Sequence, residues 1–272
     1  MESARISNTV GDVMLTIELT VFLCDWLRQR PKTASQGHRC AFHLYALNLL
    51  LAVVFTASGA VLHVWDPLPQ RPTALWLVFV MTCVSTPIIF PVVCVSALYP
   101  QMPMVSWVFS YAWLAISTAA HTSLALTQVD LSRWLVFPKL RFAGRELDGR
   151  SIGGEAYGID FDLLSSIPSA RGDCLFLHAS LFTVAVIGTL VLCLHAALAH
   201  RGARGQELHY VRRLALALAI MLLGQVTMIP LLCTVGVMRT LDIWHVSIFI
   251  VMALAYSSLR VLVCGPADKK AS

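Results

Sequence analysis

The chain has 272 residues, of which 57% are hydrophobic and 13% are charged, and its formal net charge is +5. Its mean hydropathy is +0.73. Ordinary soluble domains contain about 45–50% apolar residues and about 25% charged residues. The composition therefore excludes a water-soluble globule, a disordered tail and a nucleic-acid-binding surface, and it indicates a membrane protein.

Seven hydrophobic segments are candidates for membrane-spanning helices. A hydrocarbon core about 30 Å thick requires about 20 residues of apolar helix, because each residue rises about 1.5 Å. Six segments meet this requirement, at residues 43–65, 73–99, 104–126, 174–199, 214–238 and 243–264. The seventh, residues 10–27, contains three acids and either spans the membrane or lies flat at its interface. The sequence predicts an all-α membrane protein with a single membrane domain, a polytopic bundle of seven helices, or six without residues 10–27.

The distribution of basic residues predicts the orientation of this bundle. Arginines and lysines are concentrated in residues 28–42, in residues 200–213 and in the C-terminal tail, which all fall on one side when the helices are counted. The positive-inside rule makes that side, including the C-terminus, cytoplasmic, whereas the choice between plasma membrane and endomembranes stays open. Residues 127–173 then form one long extracytoplasmic loop. We expect the partners to be membrane lipids and a protein bound through this loop, and we expect no nucleic acid.

Acidic side chains in the first segment are the first candidates for a functional site. Glu18 and Asp25 are seven residues apart, which places them within about 20° of each other around a helix. An ionisable residue inside a membrane is by default a functional hypothesis, and the alternative is that both acids face water at the interface. Asp25 and the lone charge of the last segment, Arg260, are both expected near the cytoplasmic side. They either pair, or reach lipid phosphates and water separately.

Prolines and polar residues in two later spans indicate a ligand or partner cavity. Interior prolines free backbone carbonyls and kink a helix, and kinked helices often line cavities, although many membrane prolines have no such role. A histidine near the outer end of its predicted helix is a further candidate, with hydrogen-bonded packing as its alternative. These candidates are Pro87, Pro91, His121, Gln225, Thr227 and Pro230.

The cysteines and histidines carry no metal motif. None of the eight cysteines forms a C-x-x-C pair, and the sequence contains no H-E-x-x-H. We therefore expect no metal site, no cofactor and no catalytic residue. Cys40 and Cys264 lie toward the cytoplasmic side, where reversible palmitoylation occurs, and the alternative is that both thiols are inert.

The predicted topology has the layout of seven-helix receptors but lacks their sequence motifs. The third span ends in Leu98, Tyr99 and Pro100 instead of an acidic-Arg-aromatic triplet, and the last span has no lysine to hold retinal. The sequence favours a non-enzymatic membrane protein of receptor-like or partner-interaction type. The alternative is a small transporter or channel that uses the kinked helices and the stripe formed by Glu18 and Asp25. An intramembrane lipid enzyme is the third hypothesis.

The orientation can be tested by labelling single cysteines in a variant that otherwise lacks cysteine. A cysteine at Gly149 should react with an impermeant maleimide on intact cells, and a cysteine at Gln206 should react only after permeabilisation, because the arginines around it mark the cytoplasmic side. Labelling of the Gln206 position from outside would contradict the orientation.

Overall fold

The structure is a computed structural model that describes residues 2–31, 35–64, 74–101, 140–142, 145–147, 186–198, 205–235 and 237–265, with the isolated positions 108 and 112. Within these ranges the chain is almost wholly helical, which confirms the helical class. The six helices are α1 (Glu2–Arg28), α2 (Gln36–Val64), α3 (Ala74–Leu98), α4 (Val186–Leu198), α5 (Gly205–Val235) and α6 (Val237–Leu259). A π-helical turn, Arg260–Cys264, continues α6. Strands β1 (Leu140–Phe142) and β2 (Arg145–Leu147) form a short antiparallel pair.

Several helices begin before the hydrophobic segments that predicted them. α2 begins at Gln36 instead of residue 43, and α5 begins at Gly205 instead of residue 214. Polar residues such as Arg39 and Arg212 continue these helices because backbone hydrogen bonds do not depend on apolar side chains, and arginine has a good helix propensity. Hydropathy therefore locates the apolar part of each helix and misses its polar first turns.

Among the described residues, two helical stretches are long and apolar enough to cross a membrane, Gln36–His63 and Asp242–Cys264. Both correspond to predicted spans, and by length and composition they are compatible with a membrane location. Shorter apolar stretches, Ile89–Leu98 and Val186–Leu198, lie within two further predicted spans. The predicted span 104–126 and the loop 127–173 fall largely outside the described residues.

The helices pack in an order that brings the first and last of them together. α1 and α2 are antiparallel, since the Thr16 and Thr56 hydroxyls are 2.8 Å apart near one end and the Trp26 indole Nε1 donates to the Phe42 carbonyl at 2.9 Å near the other. α2 also packs on α3, α5 packs on α6, and α6 lies beside α1. One hydrophobic core draws side chains from all six helices; its fully buried members include Trp26, Tyr45, Leu214 and Leu259.

Apolar side chains cover much of the described exterior, and polar side chains occur in the interior. On α1 the large exposed residues recur every three or four positions, which places them along one face of the helix: Ile6, Val10, Val13, Met14, Ile17 and Val21. The buried polar residues include Asn8, Asp12, Asn48, His63 and Ser258. Soluble proteins rarely combine large exposed apolar surfaces with buried charged groups.

Candidate functional site: the seam between the first and last helices

A carboxylate and two histidines from three different helices meet where α1 and α6 come together. Oδ1 of Asp12 on α1 lies 2.9 Å from Nε2 of His245 on α6. The other oxygen, Oδ2, lies 3.5 Å from Nε2 of His63 on α2. The three side chains are 9%, 12% and 2% exposed respectively, so little water reaches the group. Each carboxylate oxygen thus faces a different imidazole, and Asp12 links α1 to both neighbouring helices.

Two glycines allow this cluster to form. A Cβ atom at Gly59 would lie 2.7 Å from Oδ2 of Asp12, and a Cβ atom at Gly11 would lie 2.8 Å from Cγ of His245. Carbon atoms do not approach other heavy atoms this closely without displacement. The absence of a side chain at Gly11 and Gly59 therefore lets the carboxylate and the imidazole lie against helix backbone.

Hydroxyl groups extend the polar contacts around Asp12. The Ser7 hydroxyl donates to Oδ1 of Asp242 at 2.8 Å, which adds a second contact between α1 and α6. Thr16, one turn after Asp12, has its hydroxyl oxygen 2.7 Å from the Asp12 carbonyl oxygen. We call the contact surface between α1 and α6 the seam. Because these hydrogen bonds lie at the same end of α1 as Asp12, we call this region the Asp12 end of the seam.

A second group of polar contacts, the Asp25 end, joins the same two helices further along. Nε of Arg260 lies 3.5 Å from Oδ2 of Asp25, and the Tyr256 hydroxyl donates to that same oxygen. The Tyr256 ring stacks on Phe22 with a centroid distance of 4.2 Å and an interplanar angle of 1°. Of the two alternatives left open for Asp25 and Arg260, the structure has them within ion-pair distance of each other. Both side chains are about one-third exposed, at 35% and 33%, so solvent or lipid headgroups weaken their attraction.

The third acid of α1 lies between these two ends. Glu18 is six residues after Asp12 and seven before Asp25, or about 9 Å and about 10 Å along the helix axis. Its Oε2 atom is buried and has no hydrogen-bond partner among the described residues. Glu18 thus differs from both of the other acids, which have basic groups on α6 within ion-pair distance.

The other predicted site residues belong to α3 and α5 or lie outside the described residues. α3 runs as one helix through Pro87 and Pro91, and Pro91 is buried. Gln225, Thr227 and Pro230 belong to α5, where the Thr227 hydroxyl donates to the Leu223 carbonyl of its own helix at 2.9 Å. His121 lies outside the described residues. The described hydrogen bond of Thr227 lies within its own helix, and the cavity formed by these residues stays a prediction.

The two cysteines proposed for palmitoylation are partly buried. Cys40 lies in the second turn of α2, and Cys264 ends the π-helical turn after α6. Cys24 on α1 is exposed by comparison. Exposure alone thus does not single out Cys40 and Cys264, and their palmitoylation stays a prediction.

The sequence did not reveal the cluster around Asp12 because the motifs sought for the histidines, such as H-E-x-x-H, lie within one segment. His63 and His245 are 51 and 233 positions from Asp12 in the chain. The predicted topology nevertheless indicated that these residues could meet, since it places Asp12, His63 and His245 at helix ends on one side of the bundle. Two glycines also indicated close approach of the helices. Gly11 is adjacent to Asp12, and Gly59 is one turn before His63.

The chemistry of the seam is that of paired polar groups. In the part of the chain that the structure describes, no set of three or more histidine, cysteine or carboxylate side chains is arranged to hold a metal ion. No protein family model, no curated protein and no solved structure matches this chain. The inference of function therefore depends on the seam and on the surface around it.

Replacing Gly59 by alanine tests the packing at the Asp12 end. The new methyl group would lie 2.7 Å from the Asp12 carboxylate, so we expect Gly59→Ala to lower the free energy of unfolding in detergent by about 1–3 kcal/mol. Gly188→Ala on α4 is the matched control, because a Cβ atom there has nothing within 4 Å. The control should be neutral or stabilising by up to about 1 kcal/mol, the gain in helix propensity. Equal effects of the two substitutions would contradict the close approach at Gly59.

A double-mutant cycle tests the contact at the Asp25 end. Asp25→Asn and Arg260→Gln should each destabilise the detergent-solubilised protein, with a coupling energy of at least ~0.5 kcal/mol in the double mutant. The measurement is the free energy of unfolding of all four proteins under one condition. Strictly additive effects would show that the two side chains do not interact in solution.

Proposed function

We propose that the chain is a non-enzymatic multi-pass membrane protein of receptor-like or partner-interaction type, with seven transmembrane helices and a cytoplasmic C-terminus. The observation that carries the proposal is the α1–α6 seam, where polar contacts join the first and last helices at both ends. In the predicted orientation the Asp12 end is extracytoplasmic and the Asp25 end is cytoplasmic. The seam then connects the two faces of the membrane.

The exposed surface of the helices supports a membrane location for more of the chain than the two long apolar stretches. α4, α5 and α6 carry exposed large apolar residues, as α1 does, and examples are Val191, Leu194, Leu223, Val246 and Phe249. In water such surfaces favour aggregation, whereas in a bilayer they contact lipid tails. Asp12 faces the bundle, where histidines of two other helices contact its carboxylate.

The seam transmits a conformational change from one face of the membrane to the other, because α1 and α6 run parallel and each is one continuous helix. Asp12 and Asp25 are 13 residues apart, a distance of about 20 Å along α1. A ligand or partner on the outer side, including one bound by the loop 127–173, that changed the contacts of Asp12 would shift α1 against α6. The contacts of Asp25 would then also change, since the helix moves as a unit.

The competing hypothesis is a small transporter or channel in which the acids of α1 bind the passing ion. Asp12 and Asp25 have histidine or arginine partners in the bundle, which makes them less available to a transported cation. Paired carboxylates of this kind stabilise helix contacts when both partners are in place, and removing one partner is costly. The pairs therefore favour a structural link over a transport path.

Spin labels can test the link directly. In a variant whose other cysteines are replaced by serine, labels at Leu27→Cys and at the native Cys264 report the separation of α1 and α6 at the Asp25 end. Asp12→Asn should broaden or shift this distance distribution, although the substitution is about 20 Å away. The control is Val13→Asn, which places the same amide on the exposed face of α1. An unchanged distribution in Asp12→Asn would contradict transmission through the seam.

Liposome flux distinguishes this function from transport. Purified protein reconstituted into liposomes should pass H⁺, Na⁺, K⁺ and Cl⁻ no faster than protein-free liposomes do. Flux above that background, lost in Glu18→Gln, would overturn the proposal in favour of a transporter or channel.

A further inference from the structure

Glu18 lies at the edge of the lipid-facing surface of α1. Its helical neighbours Met14 and Val21 are 52% and 59% exposed, whereas Leu15 and Leu19 on its other side are buried. Glu18 itself is partly exposed. Its Oε2 atom is buried, so the rest of the side chain accounts for the partial exposure of Glu18 at the border of this face.

The register of the seam shows which residues of α6 lie beside Glu18. The contacts of Asp12 with His245 and of Asp25 with Tyr256 are offset by 233 and 231 positions. Glu18 is therefore level with residues 249–251 of α6, among which Phe249 and Ile250 are exposed. Phe249 is one turn after His245 and so lies on the side of α6 that meets α1. Together Met14, Glu18 and Val21 of α1 with Phe249 of α6 form an apolar flank with one carboxyl group, which we call the Glu18 flank.

We propose that the Glu18 flank binds a transmembrane helix of a partner protein that carries a lysine or arginine at the depth of Glu18; this inference rests on the proposed function. A carboxylate at the centre of a bilayer costs about 2.5–3.5 kcal/mol, and a basic group at the same depth reduces that cost for both helices. Asp12 and Asp25 have such basic partners inside the bundle. Charge complementarity therefore identifies the occupant as basic.

The position of Glu18 also distinguishes this partner from two other occupants. Lipid headgroups lie at the ends of the helices, whereas Glu18 is in the middle third of α1. A second copy of the chain packed in parallel through the same flank would bring a second Glu18 carboxyl group to the same depth. That arrangement supplies no basic group, so charge complementarity favours the partner helix over a second copy, and self-association is an outcome of the test.

The test measures energy transfer between the donor-labelled full-length protein and acceptor-labelled synthetic helices in bicelles. One peptide is a leucine–alanine transmembrane helix with a single central lysine, and the matched peptide has glutamine at that position. The wild-type protein should bind the lysine peptide about tenfold more tightly than the glutamine peptide, as expected for a strong polar contact between membrane helices. Glu18→Gln should abolish the difference, and Val13→Gln, a polar substitution on another exposed part of α1, should retain it.

Several outcomes would overturn the inference. These are equal binding of the two peptides, absence of binding to both, preserved discrimination in Glu18→Gln, and self-association of the protein that Glu18→Gln removes. The comparison of the two peptides uses the wild-type protein, so it holds even if Glu18→Gln fails to fold.

The spin-label distance between Leu27→Cys and Cys264, measured on the protein without peptide, reports separately on the proposed function. A lost response to Asp12→Asn would contradict the link through the seam, and a retained response with no discrimination between peptides would contradict the inference alone.

Discussion

The contact of the Asp12 carboxylate with His63 and His245 is the interaction on which the arrangement of α1 depends. Residues 10–27 of α1 carry three acids, and in a bilayer a central carboxylate such as that of Glu18 opposes insertion by about 2.5–3.5 kcal/mol, more than a carboxylate nearer either end does. Asp12 faces one imidazole from α2 and one from α6, so a single side chain joins three helices. The Asp25 carboxylate likewise has polar partners from another helix, the Tyr256 hydroxyl and the Arg260 guanidinium. A helix that is marginal by itself is thereby stabilised by its neighbours, which is how ionisable residues persist inside membrane bundles.

The cluster also dictates local sequence choices that otherwise lower helix stability. Glycine in a helix interior costs about 1 kcal/mol relative to alanine. Gly11 and Gly59 nevertheless occur where the carboxylate and the imidazole lie against the backbone, because any side chain there would overlap them. Close approach at this end orients α1 between α2 and α6. The same orientation places Asp25 beside Arg260 and leaves Glu18 at the border of the exposed apolar face of α1, so both ends of the seam and the Glu18 flank follow from one packing constraint.

The sequence predicts the helices well and the contacts between them only in part. Apolar stretches located α2, α3 and α6, because a long run of apolar residues is a property of the segment itself. The pair between Asp25 and Arg260 could be anticipated, since few charges were present and the topology placed both near one face. The meeting of Asp12 with His63 and His245 depends on how three helices rotate about their axes, and periodicity within one helix does not determine that rotation. For the same reason the polar residues of α5, including Thr227, could not be assigned to a common site with Glu18.

The most direct test of this account is the depth of α1 in a bilayer. Spin labels placed one at a time from Ser7 to Arg28 in nanodisc-embedded protein report depth through their relative collision rates with oxygen and with a water-soluble nickel complex. If α1 crosses the membrane with Asp12 and Asp25 toward opposite faces, depth should be greatest near Ile17 and Val21 and should fall toward both ends, because each residue advances about 1.5 Å along the membrane normal. A uniform shallow depth along the whole helix would mean that α1 lies flat at the interface, and it would contradict the seam as a link between the two faces.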